Sequence, residues 1–122
     1  MGLRPSDTAL QYVAEDAVYA LHLAGEEAPV VPETAGRQNI EAAFRQIGDQ
    51  FEYLAFRPHG FETDGDVTRL RIDQMYRHRA SGEMLAGTAL IVIRVRDGAV
   101  VRADEYHDRP LIKAFLRLFK PS

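Results

Sequence analysis

Three turn signals, Asp64-Gly65-Asp66, Ser81-Gly82 and Asp97-Gly98, cut residues 54–108 into four strand-length pieces, and this rhythm limits the fold more than any other feature. Asp97-Gly98 favours a two-residue hairpin, because both central residues must tolerate positive φ. Neighbouring pieces should therefore pair as antiparallel strands. Leu54 to Thr63 predicts a strand interrupted by Pro58 and Gly60. Val67 to Arg79 alternates most clearly, with Leu70, Ile72, Gln74, Tyr76 and His78 on one face and Arg69, Arg71, Asp73, Met75, Arg77 and Arg79 on the other. Met84 to Arg96 is apolar on both faces from Ala86 to Ile93, which predicts a central strand covered on each side, its outer face by a second copy in a homodimer. After Gly98, the small residues Ala99, Val101 and Ala103 share a face that should look inward and continues to Glu105 and His107. Tyr106 falls on the outer face by the same alternation.

Outside the four strands the period changes. Gly36 to Glu52 carries Ile40, Phe44, Ile47 and Phe51 at spacings of four, three and four, the stripe of an amphipathic helix. Ser6 or Asp7 can cap a short helix with Leu10, Val13 and Ala14 on its apolar side, ending near Ala14. Asp16 to Leu23 reads as a strand with Tyr19, Leu21 and Leu23 on one face and Val18, Ala20 and His22 on the other, followed by a loop from Gly25 to Ala35. Arg109-Pro110 opens a last helix, with Asp108 as cap and Leu111, Ile112, Phe115, Leu116 and Phe119 as its apolar side. Helices gathered on one face of a curved antiparallel sheet is the α+β arrangement this order predicts.

A chain of 122 residues that is 46% hydrophobic supports one domain over residues 1–122 with a single core. Its formal charge of −3 contains no basic block, so nucleic acid is not an expected partner. No run is apolar for long enough to span a bilayer, and the chain has no cysteine, which together point to a cytoplasmic protein without disulfides or thiolate metal sites. His22 and His59 lack a second ligand at metal-binding spacing, and there is no Gly-rich phosphate loop or Gly-x-Ser-x-Gly elbow. No metal or cofactor is called for.

Four pieces in order, Ala14-Glu15-Asp16-Ala17-Val18-Tyr19, Gly36-Arg37, Arg96-Asp97-Gly98 and Glu105-Tyr106-His107-Asp108, resemble the nuclear transport factor 2-like superfamily, in particular its SnoaL-like and ketosteroid isomerase-like branch. The resemblance implies a cone-shaped curved sheet around a hydrophobic pocket, usually in a homodimer, with the first helix truncated because only six residues precede Asp7. Members include isomerases, cyclases, hydrolases and non-catalytic binding modules, so fold alone leaves function open. The ketosteroid isomerase base falls near Leu21 and its second acid within Ala89 to Ile91, and neither position can ionise. A weaker similarity to limonene epoxide hydrolase places its Arg-x-Asp at Arg71 and Asp73, its last-strand acid at Glu105, a tyrosine at Tyr19, and Leu21 where an asparagine should be. Arg71 and Asp73 share a face with three other arginines, so alternation puts them in solvent unless a bulge re-aims them.

Read literally, the inward faces carry a polar arc on an apolar wall. Glu105, His78 and Tyr19 are the expected catalytic groups, with a histidine as base and Glu105 as its partner, or Glu105 acting in the place it holds in the resembling branch. Gln74, Tyr76, His107, Phe44 and Phe115 are the expected ligand contacts. The blander reading of each stays open: His78 stands at a strand end in water, His107 is a rim or packing residue, and the aromatics are core. The chain is expected to hold a small hydrophobic ligand, either as a cofactor-independent acid/base enzyme or as a binding or dimerisation module.

Overall fold

The computed structural model describes residues 12–119. Its elements follow as β1 (Val13–Leu23), β2 (Thr34–Ala35), α1 (Arg37–Gln50), β3 (Phe51–Asp64), β4 (Val67–His78), β5 (Met84–Arg96), β6 (Ala99–His107) and α2 (Arg109–Phe119). The six strands form one curved, unclosed sheet in the order β2-β1-β6-β5-β4-β3. Among the described residues two helices complete the α+β cone.

The turn chemistry explains the meander from β3 to β6. Asp97 and Gly98 sit at φ 53° and 79°, both in the left-handed region that a type I′ turn needs. Between β4 and β5 the register runs unbroken from Val67 opposite Arg94 to Arg77 opposite Met84. β1 reaches the meander through α1 rather than a tight turn, so nothing forces it to run antiparallel. It pairs parallel with β6, Tyr19 opposite Ala103 and Leu21 opposite Glu105, so the sheet is mixed where the order of elements predicts an antiparallel one.

Curvature comes from irregular pairing. β3 shifts register between Tyr53 and Ala55 and again between Pro58 and Gly60, bending the edge strand. β6 carries a bulge of its own, since Arg94 pairs with Arg102 while Val95 pairs with Val100. The extra residue inverts the phase of the alternation, so Val100 joins Ala103 on the cavity wall in place of the expected Ala99 and Val101.

The core lies between the concave face of the sheet and the two helices. Ile40 from α1, Leu111, Ile112 and Phe115 from α2, and Tyr19, Leu21, Tyr76 and Leu85 from the strands are all buried in one cluster. Asp108 begins α2 through its backbone, whose carbonyl accepts the Ile112 amide at 3.1 Å. Its carboxylate, expected as the helix cap, instead accepts the Thr88 amide of β5 at 3.2 Å. That approach needs a glycine beside it, for a Cβ on Gly87 would lie 2.9 Å from Asp108 Oδ2.

Two expected boundaries move. Val13 and Ala14 open β1 instead of closing a helix, while Ser6 to Leu10 of that expected helix lie outside the described residues. Phe51 leaves the α1 stripe and begins β3 opposite His78, with φ −127° and ψ 142°, although its amide still reaches the Ile47 carbonyl. Tertiary contact decides this, because the Phe51 ring meets Phe115 at 5.5 Å and Tyr76 at 6.2 Å in edge-on geometry. No helix among the described residues is long and apolar enough to cross a membrane.

Phe51 is 2% exposed and links both helices to the sheet. Phe51→Ala should therefore lower the unfolding free energy by about 3–5 kcal/mol, read as a shift of the urea midpoint at unchanged slope.

Candidate functional site

Strand period brings the site together. On β6 the inward row runs Ala103, Glu105, His107; on the neighbouring β1 it holds Tyr19, and on β4 Gln74 and Tyr76. These line one end of a cavity of about 250 Å³. Its remaining wall is apolar, formed by Ile40, Phe44 and Ile47 of α1, Phe56 of β3, Leu70 and Ile72 of β4, Ile91 and Ile93 of β5, and Phe115 of α2.

The polar groups form a continuous hydrogen-bonded series. The Tyr19 hydroxyl donates to Glu105 Oε1 at 2.7 Å. His107 Nε2 lies 3.0 Å from the same oxygen, and its Nδ1 lies 2.8 Å from Gln74 Nε2. Gln74 Oε1 accepts the Tyr76 hydroxyl at 2.9 Å. The Glu105 side chain is 21% exposed, facing the cavity, whereas His107 is 2% exposed. Aromatic rings fix the ends: Phe44 meets Tyr19 edge-on at 5.1 Å, and Phe115 meets Tyr76 edge-on at 5.8 Å.

Burial pushes the Glu105 carboxyl up, but the hydrogen bonds it accepts from His107 and from the Tyr19 hydroxyl outweigh it and leave the group below its ordinary range. Tyr19 moves the other way, since burial first and then the Glu105 charge hold its phenol well above the usual value. Tyr76 is raised by burial, by Tyr53 and by Glu105. The arrangement can therefore hold an ionised carboxylate against an apolar space, which is the requirement for moving a proton on a bound molecule.

Six expected residues line this cavity with Glu105: Tyr19, Gln74, Tyr76, His107, Phe44 and Phe115. His78 does not line it. The inner row of β4 continues past the end of the cavity, where His78 packs on Phe51 at 5.2 Å and bonds Ser81 Oγ at 2.8 Å. Arg71 and Asp73 lie on the outer face, exposed, with Asp73 bonded by Thr88 Oγ1 at 2.9 Å and close to His59 Nε2 at 3.2 Å. The epoxide hydrolase pattern is thus not assembled.

Tyr53 and Phe56 also line the cavity and were not singled out from the sequence. Tyr53 stands opposite Tyr76 with ring centres 4.7 Å apart, but a bulge follows it, so no simple alternation reveals its face. His22 faces the other side of the sheet, buried, bonded to Asp104 at 2.8 Å and stacked on Tyr106 at 4.4 Å. Among the described residues no group of three or more His, Cys, Asp or Glu could hold a metal ion.

The lowered Glu105 carboxyl has a consequence for stability. A carboxyl whose folded value lies below its unfolded value of about 4.3 stabilises fully above that pH and loses the contribution as pH falls through the folded value. The stability advantage of the wild type over Glu105→Gln should therefore shrink from pH 6 to pH 3, measured by urea unfolding at each pH.

Comparison with known proteins agrees with this geometry. No curated protein matches the chain by sequence. Among solved structures, a Mesorhizobium loti protein named as a SnoaL-like polyketide cyclase superposes with a TM-score of 0.70 at 19% identity, covering 84% of each chain. A Bacillus subtilis protein named as an isomerase gives 0.74 at 19% identity, covering 92% of this chain and 81% of its own. A Catenulispora acidiphila protein of ketosteroid isomerase-like fold, in complex with trimethylamine, gives 0.70 at 14%, covering 82% and 72%. At these identities the likeness is one of fold. The sequence itself matches the model of the SnoaL-like domain over residues 4–103, and by that match the chain belongs to the SnoaL-like domain family.

Proposed function

We propose that the chain binds a small hydrophobic molecule in its cavity and moves a proton on it without a cofactor, Glu105 acting as the base. The observation that carries this reading is the Glu105 carboxylate at the wall of an apolar cavity, with both of its described hydrogen bonds ending on Oε1. Oε2 is then the oxygen left to meet a ligand. In such a step a proton passes from carbon beside a carbonyl to Oε2, the C–H electron pair staying on the ligand as an enolate until the proton returns. Isomerisation and cyclisation both begin this way. His78, displaced from the cavity, has no part in it.

One observation favours a second reading. A carboxyl held below its ordinary range is a weak base, which suits a module that binds without turnover. Exchange of the α-protons of small cyclic ketones in D2O, followed by proton NMR, separates the two. Catalysis predicts exchange above the buffer rate, falling about a hundredfold in Glu105→Gln and unchanged in His78→Ala. Exchange indifferent to Glu105→Gln removes that residue from the mechanism, and ketone binding with no exchange leaves a binding module.

The outer face of β5 supports a proposal about assembly. Leu90 and Val92 form an apolar strip that points away from the cavity, Leu90 beside Tyr106 of β6, with Arg71 and Arg69 of β4 and Asp104 of β6 along its sides. We expect this apolar stripe to join two copies in a homodimer. Sedimentation at micromolar concentration should give twice the chain mass, and Val92→Arg should return it to a single chain.

A further inference from the structure

Gln74 is a polar residue of the cavity wall that the proposed proton transfer does not use, yet it is 3% exposed and bonded through both ends of its amide. Its Nε2 lies 2.8 Å from His107 Nδ1. An amide nitrogen has protons and no lone pair to offer, so the ring nitrogen facing it must be the unprotonated one. The single proton of a neutral ring then sits on Nε2, 3.0 Å from Glu105 Oε1, and is donated there. At the other end of the amide, Oε1 accepts the Tyr76 hydroxyl at 2.9 Å.

The series consequently has one direction. Tyr76 donates to Gln74, Gln74 to His107, and His107 to Glu105. Reversing the amide would present an oxygen to Nδ1 and require a proton there. With Nε2 still donating to Glu105, the ring would become an imidazolium and Glu105 half of an ion pair, a poorer proton acceptor. Phe115, edge-on to the His107 ring at 5.5 Å and 89°, fixes the ring plane so that only the proton positions remain to be chosen.

We propose that Gln74 is a positioning residue that holds His107 as the neutral Nε2–H tautomer, so that the imidazole anchors Glu105 Oε1 without bringing a countercharge to it. Its role lies in orienting the site rather than in touching ligand, although its place on the inner face suggested a ligand contact. The meaning of this for catalysis rests on the reading of Glu105 as the base. The tautomer itself does not.

The test uses the full chain with 15N-labelled histidine and long-range proton–nitrogen NMR at neutral pH, with Gln74→Glu and Gln74→Met as variants. In the wild type, His107 Nδ1 should carry no proton and Nε2 should carry one. Gln74→Glu keeps the shape but presents only acceptors, and should place a proton on Nδ1 at the same pH. Gln74→Met fills the volume without a polar atom and should keep the proton on Nε2, which Glu105 still accepts, so it separates loss of packing from the change of charge in Gln74→Glu. In the ketone assay Gln74→Glu should lower kcat about tenfold with KM unchanged. A wild-type His107 protonated on Nδ1, or an Nδ1 indifferent to Gln74→Glu, overturns the assignment; the wild-type spectrum decides even where a variant fails to fold. The expected tautomers in a protein that exchanges no ketone protons uphold the Gln74 assignment while overturning Glu105 as the base.

Discussion

The parallel seam between β1 and β6 is the contact on which the rest of the molecule depends. It joins the first described strand to the last, across nearly the whole chain, and sets Leu21 against Glu105 and Tyr19 against Ala103. That register brings the Tyr19 hydroxyl to 2.7 Å from the Glu105 carboxylate. A slip of one residue would turn Tyr19 to the outer face and His22 toward the cavity. On the outer face, His22 bonds Asp104, Asp104 is gripped by Arg102, and Arg102 reaches Glu33 at 2.6 Å, so a second polar series holds the same seam from behind. The two faces of one strand pair thus carry the site and the clamp that keeps it in register.

Sheet curvature supplies the space. The bulges of β3 bend the edge strand, and the bulge of β6 lets one strand change which side chains it turns inward. Helices α1 and α2 lay Phe44 and Phe115 against the two ends of the polar series, Tyr19 and Tyr76. A buried polar group without a partner costs roughly 1–3 kcal/mol, so a site of this kind is stable only when its members satisfy one another. Tyr19, Glu105, His107, Gln74 and Tyr76 do so in sequence, and the carboxylate remains ionised in surroundings that would otherwise favour its neutral form. The family match gives the fold and a range of chemistries, while this series narrows what the cavity can do.

Much of the framework was legible because it rests on local rules. The turn at Asp97-Gly98, the inward row of β4 and the α1 stripe from Ile40 to Ile47 follow from φ preference and from periods of 2 and 3.6. The placement of Arg71 and Asp73 in solvent followed from their charged neighbours. The face of Val100, the start of β3 at Phe51 and the position of His78 were not legible in this way. A bulge leaves no mark in single-sequence alternation, and a strand face does not say where along its length a cavity ends.

The sequence by itself determined a helix-backed meander, its inward rows and the presence of Glu105 and His107 on one of them. Tertiary structure decided which of those residues meet. Glu105, His107, Gln74, Tyr76 and Tyr19 come from three strands whose contacts depend on the β1–β6 register and on sheet curvature. Both are properties of strand pairing over long sequence separations, which no local pattern encodes. The direction of the hydrogen bonds, and with it the protonation of His107, is settled one step further on, by which end of the Gln74 amide faces the ring.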